Sequence, residues 1–235
     1  MLFYQYCAAV VCPAIESANV VGYLDYNLAS GFNFFAPVFE KVDSTEDLML
    51  SDIKLADAGD GASYIQVVTT AGALGSMYYW MASETTGEAE DCWFDMDGWA
   101  PVDFALNDGQ GFYIYAGTAT AKAKVNGQVR NNVFNVPLAA GFNCVGNSTP
   151  VDLDLQDMAL TNAGDGASYI QVVTTGGLLG AMYYWMASET TGEAEDCWFD
   201  MDGWAPISGV TYPAGKGFYL FCGTSNGTLV LPSAL

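Results

Sequence analysis

Short stretches of apolar and aromatic residues, often alternating with polar ones, recur along the chain between Gly, Asn, Asp and Ser residues. Stretches of this length and pattern are typical of β-strands. One segment, residues 43–50, has instead the acidic first turn of a short helix, with Asp43 or Ser44 as its cap. The pattern predicts strands at residues 20–28, 33–39, 63–70, 74–82, 92–96, 111–116, 119–125 and 128–136.

Three dipeptides within this pattern indicate hairpin turns. Ala71-Gly72 separates two predicted strands, and Asp97-Gly98 follows the predicted strand at residues 92–96. Asn126-Gly127 gives the clearest hairpin signal, because both residue types tolerate positive φ angles and predicted strands flank them. The sequence therefore predicts a tight turn at each of these three points.

A block of 47 residues occurs twice, at 55–101 and at 160–206, with five differences between the copies. The last 25 residues of the two copies are identical. Flanking motifs also echo each other, so we predict two tandem units, at residues 19–127 and 128–235. Strands at this spacing predict an all-β, mainly antiparallel fold, in which each unit is a β-sandwich or small barrel with one short helix.

Residues 1–18 are apolar and differ in composition from the rest of the chain. They are similar to the apolar region of an export signal, with cleavage after Ala14 or near Ala18, although the usual positive start is missing. A buried first strand is the alternative interpretation. No later stretch approaches the roughly 20 apolar residues that span a bilayer, so we expect no transmembrane span.

Charged residues are scarce and almost all negative: 27 acidic residues face six basic ones, which gives a net charge of −21. A nucleic acid needs Lys and Arg to replace its counterions, so we expect no nucleic-acid partner. An anionic membrane surface is disfavoured for the same reason. The chain also has no histidine, which removes the commonest general base and the histidine ligands of zinc, copper and iron.

Four short motifs carry a resemblance to a class of exported proteins. They are Asn19-Val-Val-Gly-Tyr, Leu28-x-x-Gly31-Phe-Asn33, Trp93-Phe-Asp95 and Gly109-x-Gly111-Phe-Tyr113. In this order they resemble uncharacterised exported bacterial proteins rich in β-structure, in which the motifs are often duplicated. The resemblance implies a secreted or cell-surface protein whose mature chain starts near Asn19. It implies no activity.

Six cysteines are present, and two of them would leave with residues 1–18. An even number then remains, as is usual in an oxidising compartment. Cys144 and Cys222 occur only in the second unit, where the first unit has a large and a small residue, so we predict a disulfide between them. Cys92 and Cys197 are equivalent positions, and a disulfide between them would need a pseudo-two-fold axis. Buried free thiols are the alternative.

Six of the 14 residues from Glu84 to Asp97 are acidic, and the second unit repeats them. Carboxylates this dense repel one another, and a calcium ion bound by oxygen ligands would relieve that repulsion. A second acidic signal lies at residues 57–61, with a close copy at 162–166. The alternative is a solvated acidic loop without metal. The candidate calcium ligands are Asp60, Asp91, Asp95 and Asp97 in the first unit and Asp165, Asp196, Asp200 and Asp202 in the second.

Internal duplication is frequent in structural and adhesive surface proteins. Our first hypothesis is therefore a secreted or cell-surface structural or adhesive protein without enzymatic activity. Such a protein would assemble with copies of itself, into filaments or arrays, through open strand edges. The candidate edges lie near the two ends of the mature chain and include Val20, Val21, Tyr23, Leu229 and Leu231.

Two further hypotheses use the acidic and aromatic residues. The second is a calcium-dependent carbohydrate-binding module, whose partner would be a surface polysaccharide stacked on exposed aromatic rings. The third is a hydrolase with paired carboxylates, which suffice for glycoside hydrolysis. The aromatic residues that would serve either hypothesis, and whose alternative role is core packing, are Tyr78, Tyr79, Trp80, Trp93 and Trp99.

Overall fold

The structure, a computed structural model, describes residues 21–41, 47–68, 74–107, 109–130, 132–174, 178–224 and 227–234. The predicted export segment at residues 1–18 and the candidate edge residue Val20 lie outside the described residues. Short antiparallel strands and a few short helices make up the described chain, so the predicted all-β fold class is confirmed. None of the helices in the described ranges is long and apolar enough to span a membrane.

Nine strands lie in the described residues of the first unit. A short helix, α1 (Ser83–Thr86), follows the fifth of them, and a 3-10 turn (Leu50–Asp52) precedes the third. The strands are β1 (Val21–Asn27), β2 (Gly31–Phe35), β3 (Ile53–Ala56), β4 (Tyr64–Val68), β5 (Leu74–Met81), β6 (Cys92–Asp95), β7 (Ala100–Pro101), β8 (Phe112–Ala116) and β9 (Lys122–Gln128). A six-stranded sheet has the order β2-β8-β4-β5-β6-β7, and a three-stranded sheet has the order β1-β9-β3.

The described residues of the second unit repeat this arrangement, with a 3-10 turn (Leu155–Asp157) and a short helix, α2 (Ser188–Thr191), at equivalent places. Its strands are β10 (Phe134–Pro137), β11 (Gly141–Gly146), β12 (Leu153–Asp154), β13 (Ala159–Thr161), β14 (Tyr169–Val173), β15 (Leu179–Met186), β16 (Cys197–Asp200), β17 (Ala205–Pro206), β18 (Thr211–Tyr212), β19 (Gly217–Cys222) and β20 (Thr228–Leu231). The large sheet has the order β11-β19-β14-β15-β16-β17, and the three-stranded sheet has the order β10-β20-β13. Strands β12 and β18 form a separate pair.

Each unit encloses a hydrophobic core between its six-stranded and its three-stranded sheet. In the first unit, Ile65, Phe112 and Ile114 come from the six-stranded sheet, and Ile53 and Val125 come from the three-stranded sheet. The second unit is built in the same way. Successive side chains of a strand point to opposite faces of its sheet. The side chains of each six-stranded sheet that do not point into the core therefore lie on the outer face of that sheet.

The two units meet through outer-face side chains of their six-stranded sheets and through backbone hydrogen bonds, one of which runs from the Gly111 N–H to the Cys144 carbonyl at 2.8 Å. Phe34 and Tyr113 of the first unit pack there with Cys144 and Tyr219 of the second. The Phe34 and Tyr219 ring centroids are 5.1 Å apart, and the hydroxyls of Tyr113 and Tyr219 share a hydrogen bond of 2.8 Å. Aromatic residues of β2, β8 and β19 therefore form a junction between the units.

Arg130 adds a buried ionic contact at the same junction. Its Nε donates to Glu40 Oε1 at 2.8 Å, and its guanidinium lies 3.9 Å above the Phe134 ring. Its Nη1 also donates to the Ser148 carbonyl at 3.4 Å. The side chain is 3% exposed, so the charge is stable there because these partners surround it.

The turn predicted at Asn126-Gly127 is wrong. Both residues lie inside β9 and pair with residues of β1. A Cβ at position 127 would lie 2.3 Å from the Glu40 carbonyl oxygen, so Gly127 is needed because another stretch of backbone passes close by. The strand predicted at residues 128–136 is found only in part, since β9 ends at Gln128 and β10 begins at Phe134.

The helix predicted at residues 43–50 is not found in the part of that segment that the structure describes. Residues 42–46 lie outside the described ranges, and residues 47–49 are not helical. The 3-10 turn that begins at Leu50 is fixed by Asp52, whose carboxylate accepts a hydrogen bond of 2.8 Å from the Met49 N–H. The short α-helices are instead α1 and α2, which precede β6 and β16.

Only one of the two predicted exchange strands lies at a sheet edge. Val21 and Tyr23 are exposed on β1, which pairs with β9 alone among the described strands. Leu229 and Leu231 lie on β20, the central strand between β10 and β13, and both are fully buried. The prediction of an open edge at these leucines is therefore wrong, because both sides of β20 are already hydrogen-bonded to neighbours.

Candidate functional site

The outer face of the first six-stranded sheet carries a row of aromatic side chains from neighbouring strands. Phe32, Tyr115, Tyr64, Tyr79 and Phe94 lie opposite one another, in that order, across β2, β8, β4, β5 and β6. The first three pairs of ring centroids are 5.2, 4.9 and 5.3 Å apart. Contacts at these distances stabilise the row beyond simple burial of area.

The second unit has the same row at the equivalent positions. Phe142, Phe221, Tyr169, Tyr184 and Phe199 follow one another across β11, β19, β14, β15 and β16. The corresponding centroid distances are 5.2, 5.1 and 5.3 Å. We call each row, together with the tryptophan at its end (Trp99 or Trp204), an aromatic face.

Trp99 and Trp204 end the two rows in an unusual backbone conformation. The Trp99 ring packs edge-on against Phe94 at 5.2 Å and covers it, yet Trp99 itself is 56% exposed, as is Trp204. Their φ angles are +45° and +47°, a region that costs a bulky residue about 1–3 kcal/mol. The positive φ angle predicted for Asp97-Gly98 is therefore found at Trp99 instead. Backbone strain of this kind clusters at binding and active sites, so both tryptophans are candidate binding residues.

Three more apolar side chains are exposed in the same repeated block as each tryptophan. Met77 is two residues before Tyr79 on β5 and so shares its face of the sheet. The equivalent residues of the two units have nearly equal exposed fractions: 58% and 59% for Leu74 and Leu179, 43% and 44% for Met77 and Met182, and 43% and 42% for Met96 and Met201. The same apolar surface is thus presented twice.

The repeated 47-residue block maps onto one end of each six-stranded sheet. It contains β4 to β7 in the first unit and β14 to β17 in the second; Val68 of β4 and Val173 of β14 belong to the junction, and β6, β7, β16 and β17 are the strands farthest from it in strand order. At the junction Phe34 of β2 corresponds to Cys144 of β11, and in the two cores Ala116 of β8 corresponds to Cys222 of β19. The part of each unit that is unchanged is therefore the part that carries the exposed tryptophan.

Two of the predicted calcium ligands in each unit are engaged in fixing the short helix. Asp60 accepts hydrogen bonds from the Ala82 N–H at 2.8 Å and the Thr85 hydroxyl at 2.6 Å, and Asp91 accepts one from the Ser83 N–H at 2.9 Å. The Thr85 and Ala82 bonds hold the pKa of Asp60 below its usual value. The same arrangement recurs at α2, with a lowered pKa at Asp165, for the pair Asp165 and Asp196.

The remaining predicted ligands lie in the turns after β6 and β16. Asp95 accepts a hydrogen bond of 2.9 Å from the Asp97 N–H, and Asp200 and Asp202 form the same bond. The structure does not bring Asp91, Asp95 and Asp97 together: the described residues contain no group of three or more His, Cys, Asp or Glu side chains placed to hold a metal ion. Calcium binding stays a prediction.

The two predicted disulfides are not found, because Cys92, Cys144, Cys197 and Cys222 are all free thiols. Cys144 lies opposite Tyr219, so Cys222 is three residues further along β19, about 10 Å away and on the other face of the sheet. Disulfides need Cα atoms within about 7 Å. Cys92 and Cys197 lie on β6 and β16, several strands from the junction on opposite sides of it. Burial raises the pKa of Cys144 to about 12, which makes it an unreactive thiol.

The aromatic residues proposed from the sequence divide between the core and the aromatic face. Trp80 and Trp93 pack edge-on in the core at 5.1 Å, and Tyr78 packs there against Phe104. Tyr79 and Trp99 belong to the aromatic face. Sequence reasoning missed four members of the first row, since alternation assigns them to one side of a strand without showing which strands are neighbours. They are Phe32, Tyr64, Phe94 and Tyr115.

The candidate functional site is therefore the aromatic face with its exposed apolar neighbours, present once in each unit. The repeated block that carries most of it contains no Lys or Arg. No known protein family, curated protein or solved structure matches this chain.

Proposed function

We propose that this protein is a non-enzymatic structural or adhesive protein of the cell exterior, which links copies of itself through its two aromatic faces. The observation that carries the proposal is the presence of the same exposed apolar surface, ending in Trp99 or Trp204, in both units. A face that pairs with the same face of another copy forms a two-fold contact. Because each chain has two such faces, pairing at both would produce linear polymers.

The uneven divergence of the two units supports a binding role for this surface. The first strands of the three-stranded sheets differ between the units, as VGYLDYN of β1 and FNVP of β10 show. Strands β6 and β7 are identical to β16 and β17, including their exposed residues. Packing tolerates replacement of one apolar residue by another of similar size. Stability alone therefore does not explain why exposed methionines and tryptophans are the same in both units.

Outer-face rings already take part in the contact between the units, beside its backbone hydrogen bonds. Phe34, Tyr113 and Tyr219 already join two sheets by packing outer-face rings together. The edges next to the tryptophans are poorer candidates, because β7 and β17 are two residues long and contain Pro101 and Pro206, which have no N–H to donate. The remaining edge candidate is β1, with the exposed Val21 and Tyr23 that the sequence predicted.

The negative charge of the chain opposes this assembly and makes its strength depend on the salt concentration. The net charge of −21 repels two copies as their acidic segments approach. Salt screens such repulsion over about 10 Å at 0.1 M ionic strength. Calcium bound between facing acidic segments would reduce this repulsion more strongly than salt does, and we retain calcium binding as part of the proposal.

The proposal is tested by removing the tryptophans one at a time in the full chain. Glycine is the replacement, because it accepts the positive φ angle of both positions. The unmodified protein is expected to form polymers whose mass grows with concentration. Trp99→Gly or Trp204→Gly alone should stop growth at dimers, because one face remains, and the double variant should be monomeric.

Val133→Ser is the matched control, since Val133 is 54% exposed but lies beside the three-stranded sheet, away from the aromatic faces. It should leave the polymers unchanged when masses are measured by light scattering. If the double tryptophan variant assembles like the unmodified protein, the aromatic faces do not mediate assembly.

A further inference from the structure

The outer face of the three-stranded sheet in the first unit carries three of the chain's six basic residues. Lys122 and Lys124 flank Ala123 on β9, and Ala123 lies in the core, so both lysines point away from the core. Lys54 of β3 lies directly opposite Lys124 and therefore shares its face. We call the outer face of β1, β9 and β3 the basic face. It is a local positive patch on a chain whose net charge is −21.

The lysines of the basic face can receive an anion from outside. Within the described residues Lys122 and Lys124 form no ion pair, although Asp25 of β1 lies opposite Lys124. Lys54 lies 2.6 Å from the Glu90 carboxylate, yet its side chain is 53% exposed. Exposed ion pairs of this kind are weak, so Lys54 can exchange Glu90 for another carboxylate.

The second unit builds the equivalent sheet without lysines. Strand pairing identifies its residues at the three positions as Ala159, Thr228 and Val230. In this sheet β20 lies between β10 and β13, as β9 lies between β1 and β3 in the first unit. The fold therefore does not require the three lysines, which points to a role in binding.

Side chains suited to sugars lie beside the lysines on the same face. Tyr23 of β1 is 62% exposed, and its hydroxyl donates to the Asp25 carboxylate at 2.6 Å, which restrains the ring on this face. Asn126 lies opposite Tyr23, and Asn27 lies opposite Lys122. Carboxamides both donate to and accept from hydroxyl groups, and an exposed aromatic ring offers an apolar surface to a sugar ring.

We propose that the basic face binds a polysaccharide built of uronic acid sugars, whose carboxylates pair with the three lysines. Lys122 and Lys124 are two residues apart on one strand, so their Cα atoms are about 7 Å apart, and Lys54 lies on the neighbouring strand. The lysines can thus pair with carboxylates along one stretch of polymer, while Tyr23 contacts its rings. The inference rests on the proposed function only in placing the protein at the cell exterior. It does not use the aromatic faces.

Charge density favours a uronic polysaccharide over a nucleic acid. DNA carries a negative charge about every 1.7 Å, so a stretch that reached the lysines would also bring phosphates near Asp25 and Glu90. A uronic polysaccharide carries at most one carboxylate per sugar. At an ionic strength of about 0.1 M, charges more than about 10 Å apart are largely screened, so the lysines act locally despite the net charge of −21.

The direct test is protection of individual lysines from acetylation in the unmodified full chain, measured by mass spectrometry. An oligomer of galacturonic acid should lower the acetylation of Lys122 and Lys124 and leave that of Lys216, at the junction, unchanged. The methyl ester of the same oligomer keeps the rings and loses the charge, so it should protect neither. The proposal would be overturned by absent protection, or by equal protection from the methyl ester, from polyglutamate or from single-stranded DNA.

Exchange of the lysines for residues of the second unit tests the site further. Lys122→Thr with Lys124→Val should weaken binding of the galacturonic acid oligomer about tenfold or more in calorimetric titration, because two ion pairs are lost. The matched control is Asn132→Glu with Thr161→Glu, which changes the net charge by the same amount at exposed positions of the second unit and should leave binding in place. Undiminished binding in the folded lysine variant, or an equal loss in the control, would contradict the proposal.

Light scattering separates this site from the proposed assembly. The lysine variant should form the same polymers as the unmodified protein, because its aromatic faces are intact. Loss of polymers in that variant would show that the basic face serves assembly, which would overturn the proposal. Thermal unfolding checks that the variant is folded, and the acetylation pattern of the unmodified chain decides the matter if it is not.

Discussion

Trp99 and Trp204 combine three properties that seldom occur together in one residue. Each is large and apolar, each is more than half exposed, and each has a positive φ angle. Each ring also covers a buried phenylalanine, which is Phe94 under Trp99. The contact of the two rings adds about 0.5–1.5 kcal/mol beyond the area it buries, and the strain costs about 1–3 kcal/mol, so the strain offsets much of what each ring contributes to stability.

The first residue-scale prediction follows from this balance. Trp99→Gly removes the ring contact and also the backbone strain, so the free energy of unfolding should change by less than about 1 kcal/mol. Chemical denaturation of the variant and the unmodified protein measures this change. A loss of several kcal/mol would show that Trp99 is a structural residue, and the exposed face would lose its main support as a binding surface.

A second residue-scale prediction concerns Asp60 and Asp165. Their pKa values are lowered in the folded protein by hydrogen bonds from Thr85 and Thr190 and from backbone N–H groups. Groups of this kind stabilise the fold above their unfolded pKa, and the stabilisation disappears as the pH falls through the folded pKa. Replacing both by Asn should therefore lower stability near neutral pH and have little effect at a pH well below 3.8, the usual Asp value.

Thermal unfolding over this pH range, with and without the two substitutions, measures the effect. The other carboxylates are common to both proteins, so their mutual repulsion cancels in the comparison. Parallel curves for the two proteins at every pH would contradict the capping role of Asp60 and Asp165.

At the scale of elements, the sequence predicted most strands of the first unit and the turn at Asp97-Gly98, which joins β6 and β7, while Ala71-Gly72 lies outside the described residues. Alternation of apolar and polar residues identified β1, β4, β5, β6 and β8 to within a few residues. The strongest turn prediction, at Asn126-Gly127, was wrong, because position 127 needs glycine for a close contact with a distant part of the chain. Its backbone passes Glu40 and Phe39, which are distant in sequence, and a local pattern carries no information on such contacts.

An element-scale prediction distinguishes a packed glycine from a turn glycine. Gly127→Ala places a Cβ 2.3 Å from the Glu40 carbonyl oxygen and 2.7 Å from the Phe39 Cβ, so it should destabilise the fold by about 1–3 kcal/mol. Asn126→Ser is the control on the same strand, where the side chain is exposed, and should change stability by no more than about 0.5 kcal/mol. Small and equal effects in denaturation experiments would contradict the packed position of Gly127.

The candidate site was less predictable than the fold, for a related reason. The repeat pointed to the right segment of the chain, and Tyr79 and Trp99 were among the aromatic residues considered. Which rings form one face depends on the strand order β2-β8-β4-β5-β6-β7, in which β8 lies between β2 and β4. The predicted disulfide between Cys144 and Cys222 was wrong for the same reason, because strand pairing is not visible in the sequence. The observed register places the two cysteines three residues apart along the sheet.

At the scale of the whole molecule, the chain consists of two sandwiches joined at one end of their large sheets. Phe34, Tyr113, Tyr219 and the Arg130–Glu40 ion pair make this junction, and the aromatic faces extend away from it. At the junction the units differ at Phe34 and Cys144, while β6 and β7 at the far end are identical to β16 and β17. Two equal binding surfaces on one chain are what a linking protein needs, because binding at both connects partners that neither surface would connect alone.

The most direct test of this account is the mass of the full chain as a function of its concentration, measured by light scattering at low and at high salt, with calcium and with chelator. The account predicts masses that exceed a dimer and grow with concentration, with stronger growth at high salt because the net charge of −21 is then screened. Loss of growth in chelator would place a metal at the acidic segments. A protein that stays monomeric at every concentration, salt level and calcium level would contradict the central claim.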